Sequence, residues 1–413
     1  ELDFSTVYYF NIIISILIYL ILFYSAPAIA SFYNIPQLVT VTRIISLNLI
    51  IASLSSVAKT KLTIDVDFKT QAKASLISVV LSGIVGIYMA INDFGVWALV
   101  VQSILYTSLQ TILISYFLRW MPMLRFSIDS FKSLFPFGSR LLVSKLISAI
   151  YSDIYSLFLG KKFSSADLGF YSRAELFTKF PTENISAVLS RVTFPILSSI
   201  SNDDERLKGI YIKYLKLTSF LVFPIMLLLT GIAYPLIEIL LRDKWINTVL
   251  ILQILCLGFI WEPIGFLNLN LLYVKGESKL ILRLEIIKKT IGFIILLTTL
   301  PFGIIPISIG RAFYSFISVY INTNYTKKYI DLDYLAQMRL ILPQLLLSLS
   351  MGIIVYTLTF FISGSFYQLF FGCLVGFGYY ILMAYFLKLE SLMSILDILK
   401  KYVIEKTYKS KNE

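Results

Sequence analysis

Residues 4–26 read FSTVYYFNIIISILIYLILFYSA, a run without a single charged side chain. A helix of about 20 apolar residues crosses the hydrocarbon core of a bilayer. The whole chain has this character, because 58% of its 413 residues are hydrophobic, 15% are charged and the mean hydropathy is +0.82. A soluble domain normally carries about a quarter charged residues, and one soluble core cannot bury so much apolar surface. The sequence therefore predicts an all-α integral membrane protein.

Further apolar stretches of similar length follow, and we predict twelve membrane spans, lettered A to L. They cover residues 4–26, 36–58, 72–92, 95–119, 137–160, 166–200, 211–240, 247–273, 280–300, 304–325, 338–362 and 366–388. Span F is too long for one straight crossing, and we expect Pro181 to divide it into an approach segment and the crossing proper. Pro224, Pro235 and Pro263 are expected to kink spans G and H, as a rocking transporter needs and an ordinary bundle also allows.

The basic residues indicate the orientation in the membrane. The links B–C, D–E, F–G, H–I and J–K and the C-terminal tail hold most of the 36 Lys and Arg. The alternate links hold six: Lys161, Lys162, Arg173, Lys179, Arg242 and Lys244. By the positive-inside rule, the links that hold most of the basic residues face the cytoplasm, and so do both ends of the chain. The net charge of +12 is then a topology signal, and no nucleic acid partner is expected. The tail, 389–413, is expected either to lie on the inner membrane surface or to be a solvated end.

The chain repeats itself with a shift of 208 positions. The shift places Pro27 over Pro235, Phe94-Gly95 over Phe302-Gly303 and Tyr106 over Tyr314. Parallel repeats are one known transporter plan. We therefore predict a four-helix first lobe over 1–119 that lacks its first two helices, a six-helix second lobe over 133–326, and two additional helices with a basic tail over 327–413. On this interpretation the chain is a fragment, and fourteen helices are expected in the whole protein.

Signals for catalysis or metal binding are weak. The chain has no His, and Cys256 and Cys373 lie in apolar stretches typical of packing residues. Asp65-Val66-Asp67 resembles the D-x-D of metal-dependent sugar transferases, but it stands in a short lysine-rich link and is better interpreted as loop charge. There is no Walker A motif and no nucleophile elbow. We predict no catalytic residue, no metal and no cofactor.

Charged residues inside the spans are the strongest functional candidates, because each costs at least about 2.5–3.5 kcal/mol at the bilayer centre. The cations are Arg43, Arg173, Lys179, Arg191 and Arg311, and the acids are Asp153 and Glu262. One interpretation is a water-filled cationic cavity whose Arg side chains bind phosphate oxygens. The alternatives are structural pairing, for instance of Asp153 or Glu262 with Arg191, and outward snorkelling of Arg43 and Arg311. Either acid is also a candidate ion-coupling carboxylate.

Span L carries the small-residue motif G-x-x-x-G at Gly372 and Gly376, with Gly378 following. Such a motif permits close contact between helices. Packing within the chain is favoured over dimerisation.

The most distinctive motifs lie in spans F and G. They are Ala166-Asp-Leu-Gly-Phe-Tyr-Ser-Arg-Ala174, Pro181, Leu189-Ser-Arg-Val-Thr-Phe-Pro195 and Asp204-Glu-Arg-Leu207. Near the start stand Asp3-Phe-Ser-Thr6, Ala30-Ser-Phe-Tyr33 and Asp67-Phe-Lys69. Together they resemble the Wzx-type polysaccharide flippases, members of the multidrug/oligosaccharidyl-lipid/polysaccharide exporter superfamily, over essentially the whole chain.

The resemblance implies a fold of two six-helix lobes around a central cavity, often with two further helices. It implies a bacterial inner-membrane protein that flips an undecaprenyl-pyrophosphate-linked oligosaccharide for O-antigen, exopolysaccharide or capsule synthesis, with other polysaccharide-assembly proteins as candidate partners. Asp153 matches the family's Asp on the first helix of the second lobe, and Arg173 matches the Arg of its Tyr-x-Arg-Ala motif. Two alternatives stay open. A drug extruder of the same fold would need a carboxylate-dominated cavity, and an integral membrane polymerase or ligase would need a sizeable outer loop.

Overall fold

The structure is a computed structural model that describes residues 1–65, 67–394 and 396; for residues 137, 140, 141, 143–145 and 147–152 it describes the backbone alone. All regular secondary structure in these ranges is helical. The chain divides into two compact units, Glu1–Ser152 (unit 1) and Asp153–Glu413 (unit 2).

Unit 1 is a bundle joined by small polar side chains. Its helices are α1 (Leu2–Tyr33), α2 (Leu38–Ile45), α3 (Leu47–Ile64), α4 (Phe68–Ile91), α5 (Val96–Leu118) and α6 (Ile128–Ser152). Helix α3 packs between α1 and α5, where Ser15 Oγ donates to Ser53 Oγ at 3.1 Å and Asn48 Nδ2 donates to Ser103 Oγ at 2.8 Å. Lipid supplies no hydrophobic drive for helix association, so small polar contacts of this kind hold membrane helices together.

Unit 2 has ten helices around a larger core. They are α7 (Ile154–Lys162), α8 (Ser165–Ser199), α9 (Asp204–Gly231), α10 (Ala233–Leu241), α11 (Asn247–Phe259), α12 (Glu262–Val274), α13 (Ser278–Thr299), α14 (Ile304–Ile330), α15 (Tyr334–Phe361) and α16 (Ser365–Phe386). Short 3₁₀ turns cover Asp243–Trp245 and Leu300–Phe302. Phe223, Leu252, Phe259 and Met351 are fully buried in this core. Helix α15 packs along α9, so the two additional helices of the sequence prediction belong to unit 2.

The membrane character is confirmed by the helices themselves. Among the described residues, nine helical segments are long and apolar enough to cross a membrane. Predicted spans E, F and I form helices α6–α7, α8 and α13, but these are not among the nine. In α8 and α13 the reason is visible in the sequence, because both carry several charged side chains along their length. The all-α membrane architecture is therefore established, while the count of twelve spans stays a prediction.

Proline affects the spans unequally. Span G is broken between α9 and α10, just before Pro235, and span H between α11 and α12, just before Pro263. The expected division of span F at Pro181 is wrong, because α8 runs unbroken from Ser165 to Ser199. A proline inside a helix removes one backbone hydrogen bond, here the one to the Phe177 carbonyl, and α8 continues on both sides of it.

Helix boundaries in the two units follow the predicted repeat. Helices α5 and α14 begin at Val96 and Ile304, and α4 and α13 end at Ile91 and Thr299, each pair 208 positions apart. The residues before α5 and α14, Gly95 and Gly303, have φ of 54° and 108°. Only glycine adopts such values without strain, so the same turn is built twice. The assignment of lobes to 1–119 and 133–326 stays a prediction.

The glycines of α16 pack within the chain, as predicted. A Cβ on Gly376 would lie 2.7 Å from Leu228 Cδ1 of α9, and one on Gly372 2.9 Å from Ile232 Cγ2. Nothing lies within 4 Å of the same position on Gly378. The predicted tail lies outside the described residues at 395 and 397–413.

Candidate functional site

An ion pair lies inside unit 2, between Arg311 of α14 and Glu262 of α12. Arg311 Nη2 donates to Glu262 Oε1 at 2.7 Å, and its Nη1 donates to Ser315 Oγ at 3.1 Å. The Arg311 side chain is 13% exposed and that of Glu262 33%. Hydrogen bonds between charged groups are about twice as strong as neutral ones. The Arg311 charge is therefore compensated inside the protein and does not snorkel outward.

Aromatic rings surround the Arg311 guanidinium. Its centre lies 4.8 Å from the ring of Phe259, 5.3 Å from that of Tyr314 and 5.9 Å from that of Tyr155. Ring faces attract a desolvated cation. The Tyr155 ring is parallel to that of Tyr171, whose hydroxyl is buried with no hydrogen-bond partner among the described residues. The pair thus lies in a largely apolar cage, where its attraction is screened little by water.

The break between α11 and α12 positions Glu262. Pro263 occupies the first turn of α12, where its missing N–H costs nothing, and Glu262 lies at the helix N-terminus, where a negative charge is favoured. A Cβ on Gly258 would lie only 2.4 Å from Ala312 Cα. This glycine therefore brings α11 against α14 close to Arg311.

The expected partner of Glu262 is wrong. Glu262 pairs with Arg311, and Arg191 forms no ion pair with any residue that the structure describes. Asp153, the other acid, is exposed and precedes the first residue of α7 without capping it. The two predicted acids therefore have different surroundings.

Three polar side chains form a line, here called the polar line, along the side of α8 that the rest of the protein leaves exposed. The same side also carries the exposed side chains of Leu176, Phe180 and Val188. Arg173, Asn184 and Arg191 follow one another at 11 and 7 residues, close to whole numbers of helical turns, and all three are exposed. Glu183 is exposed beside them, whereas Thr178 faces the core. The two arginines lie about 27 Å apart along the axis at 1.5 Å per residue. The structure thus places Arg173 and Arg191 on one face of one helix.

The remaining predicted cations have local partners. Lys179 points to another side of α8, where its Nζ lies 3.0 Å from Glu175 Oε1. Arg43, in α2 of unit 1, donates from Nε to the Phe23 carbonyl at 3.2 Å and lies 4.2 Å above the Phe23 ring. Its outer guanidinium nitrogens form no ion pair with the described residues. Arg173 lies 5.9 Å from the Trp245 ring.

A buried polar network at one end of unit 2 was not predicted. Asn268 of α12 donates to Gln337 Oε1 at 3.2 Å and accepts from Thr326 Oγ1 at 2.7 Å, while Tyr211 donates to Gln337 Oε1 at 3.2 Å. These four side chains are fully buried. They join α9, α12, α14 and α15. The sequence signal for this network is the presence of amide side chains within apolar spans, which the prediction from charged residues did not include.

Lys288, inside predicted span I, was also not among the predicted site residues. It lies in α13 with only 5% of its surface exposed and donates to Glu285 one turn earlier. The pattern Ile281, Leu284, Lys288, Gly292, Leu296 places it on the buried face of this helix. That helical spacing would have identified it.

The Asp65–Asp67 stretch has a structural role at Asp67. This carboxylate accepts hydrogen bonds from the hydroxyl and backbone N–H of Thr70, at 2.6 Å and 3.0 Å, and so caps α4. These bonds hold the pKa of Asp67 below its usual range. No group of three potential metal ligands lies together in the part of the chain that the structure describes. Loop charge, rather than a sugar-transferase motif, fits this geometry.

The helices define a class of protein, the multi-pass helical membrane proteins. The chain is similar to the inward closed conformation of the lipid II flippase MurJ, with a TM-score of 0.72 over 93% of this chain and 83% of that chain, at 18% identity. This likeness shows the fold. Residues 1–250 match the family model described as polysaccharide biosynthesis protein, and the chain belongs to this family. The resemblance inferred from the sequence motifs is confirmed.

Three relatives bear names from polysaccharide synthesis. The teichuronic acid biosynthesis protein TuaB of Bacillus subtilis is 28% identical over 68% of this chain and 58% of its own length. The lipopolysaccharide biosynthesis protein WzxC of Escherichia coli is 23% identical over 70% of this chain and 59% of its own. The succinoglycan biosynthesis transport protein ExoT of Rhizobium meliloti is 24% identical over 64% and 51%. The chain thus spans between half and three fifths of these relatives.

Proposed function

We propose that the protein flips an undecaprenyl-pyrophosphate-linked oligosaccharide across the bacterial inner membrane, for O-antigen, exopolysaccharide or capsule synthesis. In this proposal it is a transporter and not an enzyme, with its C-terminus in the cytoplasm and other polysaccharide-assembly proteins as partners. The names of its relatives and the fold support the general class.

The observation that carries the proposal is the polar line of α8. This helix of 35 residues is about 52 Å long, more than the roughly 30 Å of the hydrocarbon core. Facing lipid at the bilayer centre, an arginine would cost at least about 2.5–3.5 kcal/mol. Arg173 and Arg191 are about 27 Å apart along the axis, so at most one of them lies near the centre of the core and carries this full cost. In our proposal the line borders water inside the membrane, as a translocation route for a charged head group requires.

The arginines suit a pyrophosphate. A guanidinium presents a planar fork of N–H groups that binds two phosphate oxygens at once. We propose alternating access, in which the water-filled route beside α8 opens first to the cytoplasm and then outward while the prenyl chain stays in lipid. Lys179 adds positive potential to this route. Arg43, in unit 1, is a separate candidate for phosphate binding through the guanidinium nitrogens that Phe23 leaves free.

The buried ion pair of Arg311 and Glu262 has a different role in the proposed mechanism. Arg311 is occupied by Glu262, so in this mechanism it shapes the site and contacts substrate only if the pair opens. Asp153, exposed at the start of α7, is the better candidate for coupling to an ion. A drug extruder for organic cations would need exposed carboxylates in the place of Arg173 and Arg191.

Surface polysaccharide in a strain that lacks its own flippase gene and carries the full-length gene tests the proposal. Each hydrogen bond between charged groups contributes about 1.5–3 kcal/mol, so Arg191→Ala and Arg173→Ala should each lower polysaccharide export about tenfold or more. Arg206→Ala is the matched control, because Arg206 is an exposed arginine in the first turn of α9, off the line.

The protein levels of all variants are compared by immunoblot, so that a folding defect is recognised. Wild-type polysaccharide in the Arg173/Arg191 double variant would remove the α8 line from the mechanism. Export of a cationic dye by the wild-type protein, without polysaccharide export, would favour the extruder.

A further inference from the structure

One end of unit 2 carries several exposed cations whose position the positive-inside rule does not explain. Lys162, Arg173, Arg242 and Lys244 are exposed there, on links that the charge pattern places outside the cell, where basic residues are disfavoured. Among the described residues none of these four forms an ion pair. The acids near them are Asp167, whose carboxylate accepts from Ser164 Oγ at 2.8 Å, Asp243, and Glu238, which accepts from Ser365 Oγ. This end, the outer rim of unit 2, is therefore net positive.

The backbone conformation of Arg242 is a second indication that this rim has a functional role. Arg242 has φ 65° and ψ −176°, a region that is essentially reserved for glycine and costs about 1–3 kcal/mol. The strained residue begins the 3₁₀ turn Asp243–Trp245, which packs Trp245 against Phe170 of α8. Strain of this kind persists where the local geometry is needed. Here it holds the cationic turn against the start of α8.

A cavity of 680 Å³ opens at this rim. Its walls come from the starts of α8, α11 and α14 and from α10, and they combine aromatic rings with polar groups. The rings belong to Phe163, Phe170, Tyr234 and Phe302, and the polar side chains are Asp167, Asn247 and Gln253. Phe163 directly follows Lys162, and Asn247 lies three residues after Lys244. The cations are thus near the lining residues in sequence, while among the described residues the one charged side chain on the cavity wall is that of Asp167.

A second, apolar groove continues from this cavity. Its volume is 370 Å³, and it lies between the outer halves of α9, α11 and α15. Leu250 and Gln253 line both spaces, so the two are contiguous. Leu257, Ile353 and Tyr356 on the groove walls are exposed, and Ile353 is 62% exposed. In the middle of a membrane-spanning helix such an open apolar wall faces the hydrocarbon chains.

The groove is apolar and open to the hydrocarbon side, so a lipid chain is the occupant that its walls suit. A phospholipid brings two chains to its head group, whereas a polyprenyl lipid brings one. Phosphate charge on the head matches the cations at the rim.

We propose that this continuous cleft is an outer-face site for the single-chain lipid pyrophosphate after it has crossed the membrane. The chain lies in the groove of α9, α11 and α15, the first sugars contact the aromatic cavity, and Arg242 and Lys244 bind the pyrophosphate. The site rests on the proposed function for the identity of its lipid. It meets the α8 line at Arg173, which lies 5.9 Å from the Trp245 ring, and the rest of that line serves the crossing itself.

Binding is tested on the full-length protein in detergent by native mass spectrometry, with undecaprenyl pyrophosphate as the probe and dioleoyl phosphatidylglycerol as the competitor. Ile353→Trp fills the groove from an exposed position. Leu346→Trp is the matched control, since Leu346 is 56% exposed two turns earlier on the same face of α15 and does not line the groove. We expect at least a fivefold loss of prenyl pyrophosphate binding for Ile353→Trp and for Lys244→Glu, and none for Leu346→Trp.

Equal binding by Ile353→Trp and Leu346→Trp would overturn the proposal, and so would equal competition by phosphatidylglycerol, which would indicate an ordinary phospholipid site. Melting curves of each variant identify any that fails to fold, and Leu250→Trp, at the junction of cavity and groove, then replaces it. The result is independent of transport. A protein that binds the probe in this cleft but moves no polysaccharide would contradict the proposed function and leave the binding site standing.

Discussion

Replacing Glu262 by Gln would leave the Arg311 charge inside unit 2 without its counter-ion. Breaking a buried ion pair costs about 3–5 kcal/mol, and because Glu262 is one third exposed we expect the lower end, about 3 kcal/mol. The reverse change, Arg311→Met, leaves a carboxylate that is better hydrated, so it should cost about half as much. The double variant should be more stable than the sum of the two losses predicts, with a coupling energy of about 1–2 kcal/mol.

Thermal unfolding of the detergent-purified protein measures this. At about 2–4 °C per kcal/mol for a unit of this size, Glu262→Gln should lower Tm by about 6–12 °C. Lys216→Met is the control, because its partner Glu390 is 76% exposed and a surface pair contributes at most about 1 kcal/mol. Equal and small losses for Glu262→Gln and Lys216→Met would refute a compensating role for the buried pair. A smaller loss for Glu262→Gln than for Arg311→Met would refute the ordering by burial.

Two further predictions concern the additional helices. Gly376→Leu should lower Tm by several degrees or prevent purification, because the new side chain would overlap Leu228 and Val355. Gly378→Leu is the control and should match wild type, because the space around Gly378 is open. Equal effects of the two substitutions would contradict the packing of α16. Asp333→Ala removes the carboxylate that accepts a hydrogen bond from Ala336 N at 2.7 Å at the start of α15, and should lower the free energy of unfolding by about 1 kcal/mol. Asp333→Asn should lower it less. An unchanged Tm in the alanine variant would show that the cap is not needed.

The features that depend on local composition were predictable. Apolar length gave the membrane class and most helices, and the 208-residue shift anticipated where α5 and α14 begin. Pro235 and Pro263 marked breaks correctly because each lies within the first turns of the helix that follows. Pro181 misled because a proline inside a helix removes one hydrogen bond, and whether the helix survives depends on its neighbours.

The features that depend on packing were not predictable from one sequence. Arg311 and Arg191 have similar apolar sequence neighbours, yet Gly258 brings Glu262 to Arg311 and leaves Arg191 exposed. Glu262 therefore pairs with a residue other than Arg191, which is one example of the structural pairing expected from the sequence. Lys288 lies inside predicted span I, where its helical spacing with Ile281 and Leu284 marks the buried face. The network around Asn268 joins four helices whose contacts no local pattern specifies.

The central claim is that the exposed arginines of α8 carry a lipid pyrophosphate across the membrane. The most direct measurement uses proteoliposomes of the full-length protein loaded with a fluorescent undecaprenyl-pyrophosphate oligosaccharide, with a membrane-impermeant quencher added outside. Wild-type protein should move the labelled lipid between leaflets, the Arg173/Arg191 double alanine variant should be at least tenfold slower, and Arg206→Ala should be unaffected. Equal rates in the wild type, the double variant and protein-free vesicles would contradict the claim.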